Sequence, residues 1–215
     1  MDCTRLRSVW SRRNLLLAGM GLRGQNWMSL FDGVSTAGWM AVAGREFPGD
    51  SWVVADGCLK SLVRTPTFQD IRTVREFGDF ELSFEWKIAA GGNGGVKYLI
   101  SKYDSWLPKG VVSGPPHARA RGLEYQLSDD TKTTDATKRT GALYSRMAAT
   151  GAPLREAGLF NESRIVARRP VVEHWLNGKR ILTARLTEEL PALSAIALQN
   201  HSAECWFRAL RVREL

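Results

Sequence analysis

The segment Phe80-Glu-Leu-Ser-Phe-Glu-Trp-Lys-Ile88 constrains the fold more than any other part of the chain. Phe80, Leu82, Phe84, Trp86 and Ile88 fall on one face, and Glu81, Ser83, Glu85 and Lys87 on the other. An apolar repeat of two belongs to a strand with one face in a core, not to a helix with its period of 3.6. Similar short runs recur along the chain between turn signals. Asn177-Gly178 separates 172–176 from 179–186, and Asp56-Gly57 separates 51–55 from 58–63. Such dipeptides suit the positive φ angles of tight hairpins. Further strands are predicted near 70–76, 95–101, 122–128, 141–147, 163–168, 193–199 and 204–213, with weak helical periodicity only around 187–190. No Pro-, Ser- or Gly-rich linker divides residues 29–215. The pattern predicts one all-β domain, a sandwich or barrel of antiparallel strands.

Charge narrows the range of partners. Residues 1–26 hold five arginines against Asp2 alone, so four of the eight net positive charges lie there. The remainder has only the scattered basic doublets Lys138-Arg139, Arg168-Arg169 and Lys179-Arg180, without the stripe or module that nucleic-acid binding needs. No nucleic-acid partner is therefore expected. Arg12-Arg13 ahead of the apolar run 15–22 resembles a twin-arginine export signal, and the run is far too short to span a membrane. Residues 1–28 are expected to be an export signal or a disordered basic arm. The first alternative implies a periplasmic or extracellular protein, the second a cytoplasmic one. Cys3, Cys58 and Cys205 form neither a metal motif nor a disulfide framework. Cys58 and Cys205 are expected as small buried hydrophobes, or as a pair if the first and last strands are neighbours.

Chemistry-bearing residues concentrate on two strands. Alternation in Gly122-Leu-Glu-Tyr-Gln-Leu-Ser-Asp-Asp130 puts Leu123, Tyr125 and Leu127 inward, and Glu124 and Gln126 outward. Glu85 and Lys97 are predicted to project from that same outer face on neighbouring strands. A plain solvated face is the competing explanation. The run Gly91-Gly92-Asn93-Gly94-Gly95 suits either a flexible hairpin or a loop close to a ligand, and it is not a phosphate loop. Asp129 and Asp130 could hold a divalent ion or form a turn. Trp106, in a polar loop, could stack on a sugar or pack locally, whereas Trp52, Trp86, Trp175 and Trp206 are predicted core residues. His174 is expected to be structural.

Ordered motifs carry a resemblance. They are Ser29-Leu-Phe-Asp-Gly33 with Gly38-Trp39, Phe77-Gly-Asp-Phe-Glu-Leu82, Gly92-Asn-Gly-Gly-Val-Lys-Tyr98, the 122–130 segment, Thr140-Gly-Ala-Leu-Tyr144, Glu173-His-Trp-Leu-Asn-Gly178, Leu198-Gln-Asn-His201 and Trp206-Phe-Arg208. Over residues 29–215 the chain resembles the 3-keto-disaccharide hydrolase domain family. That resemblance implies a concanavalin A-like jelly-roll β-sandwich of two antiparallel sheets, acting on 3-keto-glycosides. The chain departs from the family in reading Thr131-Lys-Thr-Thr-Asp135 where a histidine and proline usually follow the aspartate pair. It also reads Gln199-Asn200-His201-Ser202 for the usual Gln-Asp-His-Gly, with a shortened stretch before Leu198.

A ketone at C3 of a sugar acidifies the hydrogen on C2, so a base can remove it and the C1 substituent can leave by elimination. Water then adds back. The reaction needs a base, a partner for the enolate oxygen and an acid for the leaving oxygen. The expected roles are Glu124 as base, Lys97 or a metal as enolate partner, and His201 or Tyr144 as acid. A lone histidine near a strand end is more often structural, and that is the competing reading of His201. Glu85, Asn93, Gln126, Trp106 and Arg139 are expected substrate contacts. Two alternatives stand beside this one. Glu85 and Glu124 could flank a bond as in a conventional two-carboxylate glycosidase, or the domain could bind oligosaccharide without turnover.

Overall fold

A computed structural model describes residues 26–63, 68–107, 109–110 and 117–215. The twin-arginine pair, the run 15–22 and Cys3 lie outside the described residues.

Among the described residues thirteen strands form two sheets, and every pairing between these strands is antiparallel. The larger sheet contains β1 (Met28–Ser29), β3 (Trp52–Ala55), β4 (Cys58–Ser61), β6 (Phe80–Ile88), β9 (Asn161–Arg168), β10 (Val171–Leu176), β11 (Lys179–Arg185) and β13 (Cys205–Glu214). Its order is β11-β10-β9-β6-β13-β4-β3, with β1 also paired to β13. The smaller sheet runs β2-β5-β12-β7-β8, built from β2 (Trp39–Ala41), β5 (Ile71–Thr73), β12 (Ala197–Leu198), β7 (Asn93–Trp106) and β8 (His117–Ser128). The all-β jelly-roll sandwich expected from the sequence is the observed architecture. No α-helix occurs among the described residues, so none there could cross a membrane. The faint periodicity at 187–190 produces none either.

Both hairpin signals hold: Asp56 and Gly57 have φ of 53° and 70°, and Asn177 and Gly178 of 45° and 83°. Asparagine, aspartate and glycine tolerate this left-handed region best. Three expectations change. Residues 141–147 are not a strand, because Gly141 (φ 79°) and Ser145 (φ 56°) break the extended backbone. The segment still borders β8, through Gly141 N to Gln126 O and Tyr144 N to Glu124 O. The fold also starts earlier than residue 29, since Met28 pairs with Val212. Trp52 and Trp86 are core, but Trp175 and Trp206 face outward beneath cations, Arg164 over the first ring at 4.0 Å and Lys87 over the second at 4.7 Å.

Between the sheets, Phe84 meets Tyr125 edge-on at 5.8 Å, and Phe80 meets Tyr98 at 6.2 Å. Polar side chains between the aromatic pairs find partners, as burial demands: Trp86 Nε1 donates to Ser163 Oγ at 2.8 Å. His174 bridges the Tyr98 hydroxyl and the Gly141 carbonyl, each at 2.8 Å. Its Nδ1–H therefore donates to the carbonyl and its Nε2 accepts from the phenol. Burial lowers its pKa to about 4, which keeps it neutral. His174 is structural. Cys58 and Cys205 are both buried and free.

Candidate active site

Cross-strand register places the site. Met40, Arg72, Ala197, Lys97 and Glu124 are successive partners across β2, β5, β12, β7 and β8. Their side chains share the outer face of the smaller sheet, while Val96, Tyr98, Leu123 and Tyr125 fill the core behind it. Gln126 stands two residues along from Glu124. Asn93, Lys97, Glu124, Gln126, Tyr144 and His201 all line one depression of about 340 Å³.

The far arm of the β7–β8 hairpin gives this depression a wall. The chain bulges after Tyr98, where Leu99 takes φ of 49°. Beyond the bulge the arm reaches residues 68–70, which lead into β5. Ala118 N donates to Phe68 O at 3.1 Å, Asp70 N to Ala118 O at 3.1 Å, and Ala120 N to Asp70 Oδ2 at 3.3 Å. Since β12 and β7 lie between β5 and β8, the arm must bend across the open face to make these bonds. A small apolar cluster of Val42, Ile100, Ala118, Ala120 and Ala197 sits under the bend.

At the base of the wall, Lys97 Nζ lies 2.9 Å from Asp70 Oδ2, with both side chains buried. Asp70 Oδ1 also accepts from Asn200 N at 3.2 Å. Lys97 is thus paired with Asp70 rather than with Glu124, its partner across the strands. Withdrawal from water pushes the Glu124 carboxyl up from 4.5 to about 7. Lys97 opposes that rise, and the Asp70 charge adds to it. Gly95 makes room for this side chain: a Cβ there would lie 2.4 Å from Glu124 Oε1. Gln126 is buried, and its Nε2 donates to Asn93 Oδ1 at 2.9 Å and to Leu127 O at 3.1 Å. Its Oε1 has no partner among the described residues.

His201 is exposed at the rim, and partial desolvation with the nearby Arg119 charge lowers its pKa. Tyr144 is also at the rim. Arg119, Arg121, Arg146 and Gln199 also line it. Sequence reasoning missed Asp70 and these four residues. The alternation through His117-Ala-Arg-Ala-Arg121 was visible, but the bend that brings the arginines over the sheet comes from contacts distant in sequence.

Other expected site residues lie elsewhere. Glu85 belongs to the larger sheet, where its Oε2 accepts from Arg208 Nε at 2.7 Å. Phe84 and Tyr125 pack against each other between the sheets, so Glu85 and Glu124 leave opposite sides of the sandwich. The turn after β6 passes to the other sheet instead of closing a hairpin, which puts strands adjacent in sequence on different layers. Those two carboxylates cannot flank one bond. Trp106 stacks on His117 at 5.7 Å, outside the depression lining. Arg139 is exposed and donates to Thr133 O at 2.7 Å.

The expected metal ligands do not form a donor set. Asp129 accepts from Gly91 N at 2.7 Å and Thr131 N at 3.3 Å, and Asp130 from Thr140 N at 2.9 Å. Both lie outside the depression lining. No group of three His, Cys, Asp or Glu able to hold a metal occurs among the described residues. These two aspartates fit turn-capping better than cation binding.

A family model described as the 3-keto-alpha-glucoside-1,2-lyase-like domain matches residues 26–213. The chain belongs to this family. A 3-keto-disaccharide hydrolase of Bacteroides thetaiotaomicron is 26% identical over 230 residues, covering 88% of this chain and 78% of that protein. A structure assigned as a glycosyl hydrolase from Parabacteroides distasonis superposes with a TM-score of 0.70 at 22% identity, covering 88% of this chain and 94% of the other. A carbohydrate binding module from Bacillus subtilis superposes with a TM-score of 0.51 at 13% identity, over 82% and 96% of the two chains. These structures share the fold, and membership in the family ties the chain to carbohydrate chemistry.

Proposed function

We propose that the protein cleaves 3-keto-glycosides by elimination across C1 and C2 followed by hydration. The observation that carries this reading is Glu124, an acid with a pKa of about 7, free of an ion pair among the described residues and facing a sugar-sized depression. A base works best when its pKa lies near the working pH. Glu124 takes the C2 hydrogen, and a cation beside it receives the charge that develops on the ketone oxygen. Tyr144 at the rim supplies a proton to the leaving oxygen. His201, with its lowered pKa, is neutral near pH 7 and suits activation of the incoming water better than acid duty. The unpartnered Gln126 Oε1 suits a sugar hydroxyl.

Incubation with 3-keto-trehalose and with trehalose, with and without added divalent ions, tests this. Cleavage of the keto sugar alone is expected. Equal cleavage of both would refute the keto requirement. Saturable binding without product under every condition would leave a sugar-binding module instead.

A further inference from the structure

The lining of the depression contains more cations than the reaction requires, and their pairing distinguishes them. Lys97 is matched by buried Asp70. Arg121 Nε is held by Asp104 at 2.7 Å, and Arg146 by Glu188. Arg119 has no carboxylate partner among the described residues, and its Nε is buried without an acceptor. A buried guanidinium donor left unpaired is uncommon, and an acceptor brought by a ligand would satisfy it.

We propose that Arg119, rather than Lys97, is the catalytic residue that receives the negative oxygen of the substrate. This rests on the keto-sugar reading above. Its position is pre-set: the backbone on either side is pinned by Ala118 N to Phe68 O and Ala120 N to Asp70 Oδ2. Its guanidinium lies 6.0 Å over the Trp106 ring. Donors fixed before the reaction stabilise developing charge most effectively. Arg119 also acts on both Glu124 and His201, lowering each pKa, so its charge reaches the base and the rim together.

The Glu124 carboxylate takes the C2 proton, the C–H pair forms C2=C3, and the ketone π pair moves onto O3. Arg119 N–H donates to that O3 anion. The O3 pair then restores the ketone, C1=C2 forms, and the C1–O bond breaks as its oxygen takes a proton from Tyr144. Water then adds across C1=C2: its oxygen bonds C1 and its proton goes to Tyr144, while Glu124 returns its proton to C2, which restores both side chains and completes hydrolysis. Lys97, already neutralised by Asp70, has less charge to offer O3.

The test compares wild type, Arg119→Ala and Arg119→Gln on 3-keto-trehalose, reading kcat, KM and C2 hydrogen exchange in D2O by NMR. Both variants should lose about 10²–10³-fold in kcat and in exchange rate, as for removal of an oxyanion donor, with KM little changed. Guanidinium chloride should restore part of the Arg119→Ala rate, and sodium chloride at equal ionic strength should not. Where Arg119→Ala does not fold, Arg119→Gln decides alone. An unchanged kcat, a loss confined to KM, or equal rescue by sodium chloride would overturn the assignment. An active wild type with unaffected variants removes this inference alone. An inert wild type removes the keto-sugar reading and this inference with it.

Discussion

Gly95→Ala is the smallest change that should disable the site without unfolding the protein. Gly95 lies on β7 opposite Gln126. An added Cβ would sit 2.4 Å from Glu124 Oε1 and 2.8 Å from both its Cδ and Cγ. Ordinary contact begins near 3.4 Å, so the carboxyl must move by about 1 Å, a displacement that can cost roughly 100-fold in rate. Three atoms of Glu124 are struck, so rotating the carboxylate tip alone does not relieve the clash. Alanine itself suits a strand better than glycine, by about 0.5–1 kcal/mol, which offsets part of the strain.

The expected result is a kcat/KM on 3-keto-trehalose near 1% of wild type, with Tm shifted by only a few degrees, since overpacking costs about 1–3 kcal/mol. Gly94→Ala is the control. Its Cβ would meet Cys205 Sγ at 2.8 Å, in the core behind the sheet. That variant should lose stability but keep its turnover per folded molecule. Full activity in Gly95→Ala would refute the placement of Glu124 as base. Equal loss of stability in both variants would refute the claim that one glycine serves the site and the other the core.

Other outcomes follow from the same geometry. kcat/KM should rise with pH to a plateau above about 7, falling roughly tenfold per unit below it, because only ionised Glu124 can take a proton; a flat profile from pH 5 to 8 would exclude it. Asn200→Asp should lower stability by about 1–3 kcal/mol in chemical denaturation, because Asn200 Nδ2 donates to Ser51 O and Leu62 O and a carboxylate cannot. His174, lowered from 6.5 to about 4, is protonated in the unfolded chain before the folded one. Its contribution to stability is therefore complete above pH 6.5 and lost as pH falls toward 4, and a His174 imidazole that titrates near 6.5 by NMR would contradict this.

Parity within a strand was legible, and it placed Lys97, Glu124 and Gln126 together on one face. Assignment of strands to sheets was not, because β6 and β7 are separated by a turn whose glycines fit a hairpin as well as a crossing. Glu85 was misplaced for that reason alone. Trp175 and Trp206 were misread because bulk was weighed over alternation. His174 and Phe207 fill the interior beside them, and parity alone would have sent both tryptophans outward. Asp70 and Arg119 depend on a bend that joins residues 68–70 to 118–120, and no local pattern encodes that meeting.

Glu124 also separates a catalytic face from one that merely binds sugar. A folded-state pKa of about 7 against 4.5 means that the folded protein holds this proton more tightly than the unfolded chain. Stability is therefore lost as pH rises from 4.5 to about 7, reaching about 3 kcal/mol above that range. A binding surface has no need of that burden, since a neutral amide offers hydroxyl groups both donors and an acceptor. Glu124→Gln should thus be more stable than wild type at pH 8 and unchanged at pH 4.5. At about 2–4 °C per kcal/mol for a chain of this size, the gain in Tm is several degrees. Sugar binding should persist while turnover disappears, the trade expected where an active site is kept at the expense of stability. A Glu124→Gln protein that gains nothing in Tm at pH 8 would show that the carboxyl is adequately solvated. Glu124 would then not be a tuned base.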